Sequence, residues 1–405
     1  MTELRVTRLE TSAVDAYLTV LNDAFLGQIP PAGLVRERAA FHARPGAHYG
    51  VFDGTELVGV AAAPTRPMTL PGGIVAQVSA VTSVAVSPSH RRRGVFATLV
   101  RHQLADLAEH GPVLSALWPS QGALYTRFGY APATWQGPLV VRHGARLRPG
   151  VPIAEGRVRE LPRQRAMAAI RELHDRIAPS HAGWLHRDDG HWTLLLEDPV
   201  GGAAPSDLRF ALHDGGYLVY RVVPKVTPAG RRHELHIRDL AAVDTTVRAA
   251  LWRHVLGLDL SGSVHFELST PDEPVLHMLA DPRAAEQAVR DGMWVRLADV
   301  PGALALRRYR TALSITFSVT DALLPGNAGL WRLVADESGK AVVERGSGEP
   351  DLALDVAELG AVYLGGTSLA ALAAAGRVRA RDPELLAVAD AAFGHTPLPH
   401  CTIVF

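Results

Sequence analysis

The sequence predicts an α/β (α+β) protein of three modules, in which the first two repeat one order of elements. Each copy places a β-hairpin before a strand and an amphipathic helix. The hairpins turn at Asp53-Gly54 and Asp214-Gly215, which are strong hairpin pairs. Because the same order occurs twice, we interpret it as an internal repeat. After Val295 the pattern changes to short strands and helices of small residues, which indicates a third module.

Length and composition predict a chain with a sizeable core and balanced charge. Its 405 residues are 47% hydrophobic, and this length suggests roughly two to four domains. The 41 basic and 41 acidic residues cancel. This balance argues against nucleic acid as a partner, because nucleic-acid binding rests on a broad basic face. Cys401 is the single cysteine, so an intramolecular disulfide is excluded.

We expect a cytoplasmic protein with no membrane partner. No apolar run in the sequence reaches the length that spans a bilayer. The first residues, which read MTELR, carry no signal-peptide pattern.

Residues 84–99, which read VAVSPSHRRRGVFATL, are the most informative part of the chain. A strand ends at Val86, a basic loop follows, and a helix opens at Gly94. Glycine lets the backbone reach dihedrals that a Cβ forbids. The first amides of a helix have no intrahelical acceptors, so with the three arginines at 91–93 they predict an anion site. A solvated basic loop is the alternative, since runs of arginine usually are that.

The elements after this loop favour the anion site. An apolar stripe predicts a helix that ends at Gly111-Pro112, and a second strand spans residues 113–118. Residues 120–130 then read SQGALYTRFGY. In this order the chain resembles the GNAT acetyltransferases, whose diphosphate loop reads (Q/R)-x-x-G-x-(G/A). Phe96 departs from that pattern at the last position. The resemblance implies two neighbouring parallel strands that diverge, with the pantetheine arm of coenzyme A between them.

The second copy lacks the features of an anion site. Its junction at residues 241–246 reads AAVDTT, without an arginine run or a glycine. Asp244 would repel a diphosphate, so we expect a GNAT-like module that cannot hold coenzyme A and serves as scaffold and cleft wall. The predicted domains are residues 1–148, 149–290 and 291–405, with a Pro/Gly-rich link at the first boundary.

The third module completes a more specific resemblance. Residues 352–366 read LALDVAELGAVYLGG and resemble a sterol-carrier-protein domain. Such domains sometimes bind lipid, and here we expect a structural and assembly role. A GNAT module, a second GNAT-like module and a sterol-carrier-like domain together resemble the enhanced-intracellular-survival (Eis) acetyltransferases. That resemblance implies acetyl-CoA as co-substrate, aminoglycoside amines or protein lysine as acceptors, and a homohexamer.

The resemblance also implies roles for individual residues. Tyr125 corresponds to the general acid, and the terminal carboxylate of Phe405 corresponds to the group that helps to deprotonate the amine. Val404 stands where some members carry an acidic residue. The implied acetyl-CoA site comprises Val84, Ala85, Val86, Arg91, Arg92, Gly94, Val95 and Ser120.

Elementary chemistry agrees with the role of Tyr125. A tyrosine with a pKa near ~10 can protonate a leaving thiolate whose thiol pKa is near ~8.5. The alternative is a core aromatic packed over Phe128. The carboxylate of Phe405 has a reference pKa of about 3.5, so it is a poor base alone but can orient a water or the substrate ammonium.

Four residues are expected on the substrate side of the cleft. Asp23 and Phe25 end a helix just before a Pro-Pro break, where loops often line a cleft, although a plain helix end is the alternative. Ser83 and Trp118 lie beside the two strands that are expected to diverge.

No metal is expected. Histidines crowd together from His181 to His191, but their spacing matches no standard zinc motif, and surface-loop histidines are the simpler interpretation. Two classes of function therefore remain. The first is an acetyl-CoA-dependent amine N-acetyltransferase acting on aminoglycosides, with protein lysine as the alternative acceptor. The second is a non-catalytic protein whose third module carries a lipid. The arginine loop and Tyr125 favour the enzyme.

Overall fold

The computed structural model describes residues 4–197, 208–227 and 230–405. The chain forms two compact units. Unit 1 comprises Met1–Ala133, Met293–His395 and Val404–Phe405, and unit 2 comprises Thr134–Gly292 and Thr396–Ile403. Each unit is therefore assembled from segments that are distant in sequence. The predicted domain boundaries at 148 and 290 stay a prediction.

The strands and helices are numbered in chain order. The strands are β1 Leu4–Arg8, β2 His48–Asp53, β3 Glu56–Ala62, β4 Thr65–Leu70, β5 Ile74–Val86, β6 Leu114–Leu117, β7 Ala131–Pro132, β8 Trp135–Gln136, β9 Leu139–Arg142, β10 Arg159–Leu161, β11 Arg209–His213, β12 Gly216–Thr227, β13 Gly230–Ala242, β14 Ser261–Phe266, β15 Ala285–Gln287, β16 Arg290–Asp291, β17 Trp294–Leu297, β18 Leu313–Thr320, β19 Gly329–Ala335, β20 Ala341–Arg345, β21 Leu352–Asp355 and β22 Val378–Ala380. The helices are α1 Val14–Ala24, α2 Pro31–Ala43, α3 Val95–His110, α4 Gly122–Thr126, α5 Arg163–Ile177, α6 Asp189–Glu197, α7 Thr245–Leu256, α8 Val275–Met278, α9 Val300–Leu306, α10 Val356–Val362, α11 Leu369–Ala374 and α12 Pro383–Phe393.

The first sheet of unit 1 contains two neighbouring parallel strands of unequal length, β5 and β6. Its order is β1-β2-β3-β5-β6-β17-β7, and β4 pairs with β5 off this path. The parallel pairing of β5 with β6 begins at Ser79 and ends at Val81. Strand β5 continues to Val86 alongside β3. The last paired residue of β6, Leu117, is also the end of that strand, so β5 extends five residues beyond its partner.

Two helices of unit 1 cover this sheet, and a further helix was not predicted. Helix α1 packs on β3 and β5 in a core that includes Val60 and Ala85, and α3 packs on β2 in a core that includes Val51 and Leu99. The Pro-Pro pair was interpreted as a break, but Pro31 begins α2. A proline suits the first helical position, because its fixed φ fits a helix and its missing N–H has no partner to lose there.

The second sheet of unit 1 has the order β20-β19-β18-β21-β22. Strand β18 alternates buried and more exposed residues, as expected for a sheet with one face on a core. Helix α10 begins with a capping box, in which Asp355 and Glu358 satisfy backbone amides in the first turn. This helix packs on β17 and β7, so it joins the two sheets of unit 1.

Unit 2 repeats the arrangement of the first sheet. Its order is β10-β11-β12-β13-β14-β9-β15, with β13 and β14 parallel. The hairpin β11–β12, strand β13, helix α7 and strand β14 correspond to β2–β3, β5, α3 and β6 in unit 1. The predicted repeat and both Asp-Gly hairpins are therefore confirmed. Among the described residues, no helix is both long and apolar enough to cross a membrane.

Candidate active site

The loop before α3 has the open geometry that the sequence predicted. Gly94 adopts a left-handed φ of +87°, and a Cβ on it would point into open space. Arg92 also lies in the left-handed region, at +63°. The α3 hydrogen bonds begin at Thr98 N, which donates to Gly94 O, so the preceding amides face the loop. Arg91 Nη2 donates to Ala24 O at 3.1 Å and joins this loop to the end of α1.

The corresponding helix of unit 2 starts differently. Asp244 Oδ1 accepts from Thr246 N at 2.8 Å and from Val247 N at 2.9 Å. These hydrogen bonds hold the pKa of Asp244 below its usual range. The first turn of α7 therefore already carries a bound carboxylate, whereas Gly94 leaves the first turn of α3 without a side-chain cap among the described residues.

A bulge shapes strand β5 near its end. The register between β3 and β5 shifts between Val60 and Ala62, and Ser83 opposite them adopts a φ of +52°. Beyond the bulge, Val84 and Val86 are half-buried, while Ala85 is buried in the core under α1. The strand therefore continues toward the loop after its pairing with β6 has ended.

Tyr125 lies on the short helix α4, directly after β6, in an aromatic cluster. Its ring packs edge-on against Phe96 at 5.3 Å and against Tyr130 at 6.0 Å between ring centroids. Tyr125 is 8% exposed. Burial, with a smaller effect of Tyr130, raises its pKa well above the usual value. Phe96, which departs from the GNAT pattern, thus supplies one wall around Tyr125.

The turn after α4 is held from the other half of unit 1. Gly129 adopts a φ of +79°, and a Cβ there would lie 2.6 Å from Arg296 Nε. Arg296 Nε donates to Phe128 O at 2.9 Å, and Tyr130 Oη lies 2.7 Å from Ser115 Oγ. These contacts fix the helix that carries Tyr125.

Beside Ser83, which was predicted to lie on the substrate side, the structure places a residue that the sequence did not single out. Ser83 Oγ donates to Glu37 Oε2 at 3.0 Å, and burial raises the pKa of Glu37. Glu37 lies on α2. The feature of the sequence that could have predicted this helix is Pro31 at its first position. Trp118 Nε1 is buried without a hydrogen-bond partner in the described part of the chain.

The other two predicted substrate residues lie at the end of α1. Asp23 is exposed and lines a cavity of about 410 Å³ with Asn22 and Arg38. Phe25 is 45% exposed in the turn that follows the helix. The cavity lining found in the described residues includes neither Ser83 nor Phe25, so the structure does not gather the predicted set into one cavity.

The remaining predicted residues lie after the end of a strand, at the C-terminus and at the start of a helix. Ser120 is exposed after β6, and the C-terminal dipeptide, with a partly buried Phe405, belongs to unit 1 as Tyr125 does. Val95 is buried at the start of α3.

The histidine-rich stretch forms packing contacts within unit 2. His181 stacks on Trp184 with ring centroids 4.5 Å apart, and Trp184 Nε1 donates to His400 Nε2 at 3.0 Å. His191 Nδ1 is hydrogen-bonded to Asp188. The expectation of surface histidines is wrong here, because His181 and His191 are half-buried. The groups of possible metal ligands among the described residues do not include them.

Three family matches cover most of the chain. Residues 5–133 match an acetyltransferase (GNAT) domain, residues 183–297 match a second acetyltransferase (GNAT) domain, and residues 300–402 match a sterol carrier protein domain. The GNAT fold implies acetyl-CoA as the co-substrate.

Similar proteins support the same assignment over the whole length. An uncharacterized N-acetyltransferase of Streptomyces avermitilis is 37% identical over 358 residues, covering 86% of this chain and 87% of the relative. The N-acetyltransferase Eis of Mycobacterium tuberculosis is 32% identical over 350 residues, covering 85% of each. The crystal structure of Eis1 from Mycobacterium abscessus matches with a TM-score of 0.86 and 31% identity, covering 100% of both chains. The chain therefore belongs to the Eis family of GNAT N-acetyltransferases and is an acyltransferase.

Proposed function

We propose that the protein transfers the acetyl group of acetyl-CoA to primary amines of aminoglycosides. The observation that carries this proposal is the uncapped start of α3, which follows the part of β5 that extends beyond its pairing with β6. Together these features offer an extended strand for the pantetheine arm and an anion-binding helix end in one unit. Membership of an enzyme family favours this function over the non-catalytic lipid-carrying alternative.

Two groups of residues bind acetyl-CoA in this proposal. Arg91, Arg92, Gly94 and the amide of Val95 hold the diphosphate, since guanidinium groups and free amides are suited to phosphate oxygens. Backbone groups of residues 84–86 pair with the pantetheine arm, and Ser120 lies at the opposite strand end. The exposure of Arg91 and Arg92 and the open space around Gly94 support this assignment. The Asp244 cap supports the view that the second GNAT-like domain is a scaffold without coenzyme A.

The proposed chemistry is a direct attack of the amine on the thioester carbonyl. A new C–N bond forms, the C–S bond breaks, and the amine loses a proton while the thiolate gains one. Tyr125 donates the proton to the thiolate. Its raised pKa keeps the hydroxyl protonated at neutral pH, so the acid form is always present. Burial also raises the pKa of the leaving thiol, because it disfavours the charged thiolate. The free-energy cost of moving the proton from Tyr125 to the thiolate therefore stays small.

In this proposal, carboxylates bind and deprotonate the substrate amine. The terminal carboxylate of Phe405 assists deprotonation, and Glu37 holds the substrate ammonium beside Ser83. The hydrogen bond between Ser83 and Glu37 supports this role, because it fixes the carboxylate next to the strand proposed to hold the acetyl-CoA. Asp23, Phe25 and Trp118 complete the proposed amine side.

The proposal extends to the organisation of the protein. By resemblance, the three domains at 1–148, 149–290 and 291–405 assemble as a cytoplasmic homohexamer, and the C-terminal domain serves structure and assembly. The Arg296 contact to the turn after α4 supports a structural role for that part of the chain.

A thiol-release assay tests the function. The protein is incubated with acetyl-CoA and, separately, a panel of aminoglycosides, a lysine peptide and an amine-free buffer. We expect coenzyme A release with several aminoglycosides and mass gains of one or more acetyl groups. Coenzyme A release with the lysine peptide alone would identify protein lysine as the acceptor in place of aminoglycosides. No release with any amine would overturn the proposal.

A further inference from the structure

Unit 2 contains a cluster of metal-ligating side chains outside the proposed active site. Glu234 and His236 lie on β13, and His265 lies on β14. One ligand atom from each of the three lies within 4.8 Å of the other two. The predicted absence of a metal rested on the spacing around 181–191, and this cluster comes from other strands.

The register of the two parallel strands creates the cluster. His236 is paired directly with His265, and Glu234 is paired with Ser263. Leu235 and Val264 point into the core of the unit. Because side chains alternate across a strand, the four polar residues share the opposite face. They are thus held by a sheet and not by loops.

The distances within the cluster suit a small divalent metal. Glu234 Oε2 lies 3.1 Å from His236 Nε2, and Glu234 Oε1 lies 3.7 Å from His265 Nε2. Bonds of about 2.0–2.2 Å to Zn²⁺ place neighbouring ligand atoms of a tetrahedral site about 3.4 Å apart. The two imidazole rings are stacked, parallel within 3° and with centroids 4.6 Å apart. Because the nitrogen lone pairs lie in the ring planes, one ring must turn about its Cβ–Cγ bond for both nitrogens to point at one ion, and the torsion about this bond is broad for histidine.

We propose that Glu234, His236 and His265 bind one Zn²⁺ ion. Two imidazoles and one carboxylate form a donor set that zinc uses in proteins, and the set leaves a fourth position open. The side chains are 16–27% exposed, so an ion can reach them while the sheet keeps them in place. Ser263 Oγ lies 2.8 Å from His265 Nε2 and moves aside or becomes an outer partner when the ion binds.

One neighbour opposes the ion. Lys225 Nζ donates to Glu234 Oε1, and its ammonium competes with a cation for that oxygen. The Lys225 side chain is 58% exposed, so it can leave the carboxylate at little cost. Removing it should strengthen zinc binding, which is the reverse of what a merely structural contact predicts.

Calorimetric titration with ZnCl₂ tests the site in tag-free, chelator-treated full-length protein. We expect about one equivalent bound, with affinity reduced about 10-fold or more in His236→Ala and His265→Ala. His110→Ala is the control, because His110 also lies beside two carboxylates, at 3.8 Å from Asp106 and 3.7 Å from Glu109, and should leave the titration unchanged.

Lys225→Ala keeps all three ligands and should bind zinc several-fold more tightly. A visible absorption band on substitution with Co²⁺, lost in the two histidine variants, gives a readout that does not depend on activity. Binding that is absent, or that is equal in the wild type and both histidine variants, would overturn the proposal.

Discussion

At the scale of single residues, burial sets the protonation of the side chains in the proposed chemistry. Tyr125 is enclosed by Phe96 and Tyr130, so its phenol remains neutral at ordinary pH. Glu37 is half-buried, and this partial burial raises the pKa of its carboxyl above the usual value. The two groups therefore differ in their chemistry. Tyr125 stays protonated and can act only as a proton donor, whereas Glu37 can change between its charged and neutral forms as the pH changes.

Tyr125→Phe should lower turnover by about 10²-fold, which is a typical contribution of a general acid, while the KM for acetyl-CoA changes little. Steady-state thiol release measures both constants. Tyr309→Phe is the matched control, because the buried Tyr309 hydroxyl donates to Leu304 O of α9 at 2.9 Å, and its loss is expected to affect the melting temperature only. A large loss of acetyl-CoA affinity in Tyr125→Phe would instead assign the residue a structural role.

Glu37 should give the reaction a pH dependence on the acidic side. Its raised pKa means that the carboxylate becomes protonated as the pH falls through that value, above the ordinary range of a glutamate. Since the charged form holds the ammonium, kcat/KM for the amine should decline there. Glu37→Gln should lower kcat/KM and abolish this limb of the profile. The exposed Glu56→Gln should match the wild type at every pH, and an unchanged profile in Glu37→Gln would contradict the proposed role.

At the scale of elements, the difference between α3 and α7 lies in their first turns. Asp244 satisfies the amides of α7, and Gly94 leaves those of α3 facing an arginine loop. A helix end of this kind attracts anions through its free N–H groups and its dipole. The two repeats can thus share a fold and differ in ligand.

The double variant Arg91→Ala/Arg92→Ala should raise the KM for acetyl-CoA by roughly 10-fold or more, because hydrogen bonds to charged groups contribute about 1.5–3 kcal/mol each. Turnover at saturation should change much less. Arg101→Ala, on the exposed face of α3, is the control for a lost positive charge. Equal KM values in the wild type and the double variant would remove the loop from the binding site.

At the scale of the whole molecule, unit 1 depends on a buried ion pair between its two sheets. Arg296 Nη2 lies 2.6 Å from Asp321 Oδ2, and both side chains are almost fully buried. The same guanidinium donates to Phe128 O in the turn that follows α4, the helix of Tyr125. The C-terminal sheet therefore positions a residue of the first sheet.

Asp321→Asn should destabilise unit 1 by about 3–5 kcal/mol, since it leaves the Arg296 charge buried without a counter-ion. Thermal melting and urea unfolding measure this change. Glu286→Gln removes one partner of the exposed Arg142–Glu286 pair and should cost less than about 1 kcal/mol. Similar effects of the two substitutions would show that the buried pair is not a special anchor.

A short Gly-Ser extension after Phe405 should lower turnover while the KM for acetyl-CoA stays the same, because the carboxylate moves away from unit 1. The same extension at the N-terminus is the control. Full activity of the C-terminally extended protein would remove the Phe405 carboxylate from the mechanism.

The sequence by itself determined the repeat, the hairpins and the open loop, because these depend on local chemistry. Asp-Gly pairs favour tight hairpins, and Gly94 permits the left-handed φ that the loop adopts. Asp244 caps α7 through hydrogen bonds that are equally local. The prediction was wrong at helix α2. The Pro30-Pro31 pair was interpreted as the break after α1, although Pro31 begins a new helix.

Only the tertiary structure decided which distant residues meet. Strand β17 joins the first sheet and β9 joins the second, although neither lies in the corresponding stretch of sequence. The contact of Ser83 with Glu37 and the cluster of Glu234 with His265 depend on helix packing and strand register. No local pattern encodes such pairings, because they are fixed by how the sheets bury their apolar faces.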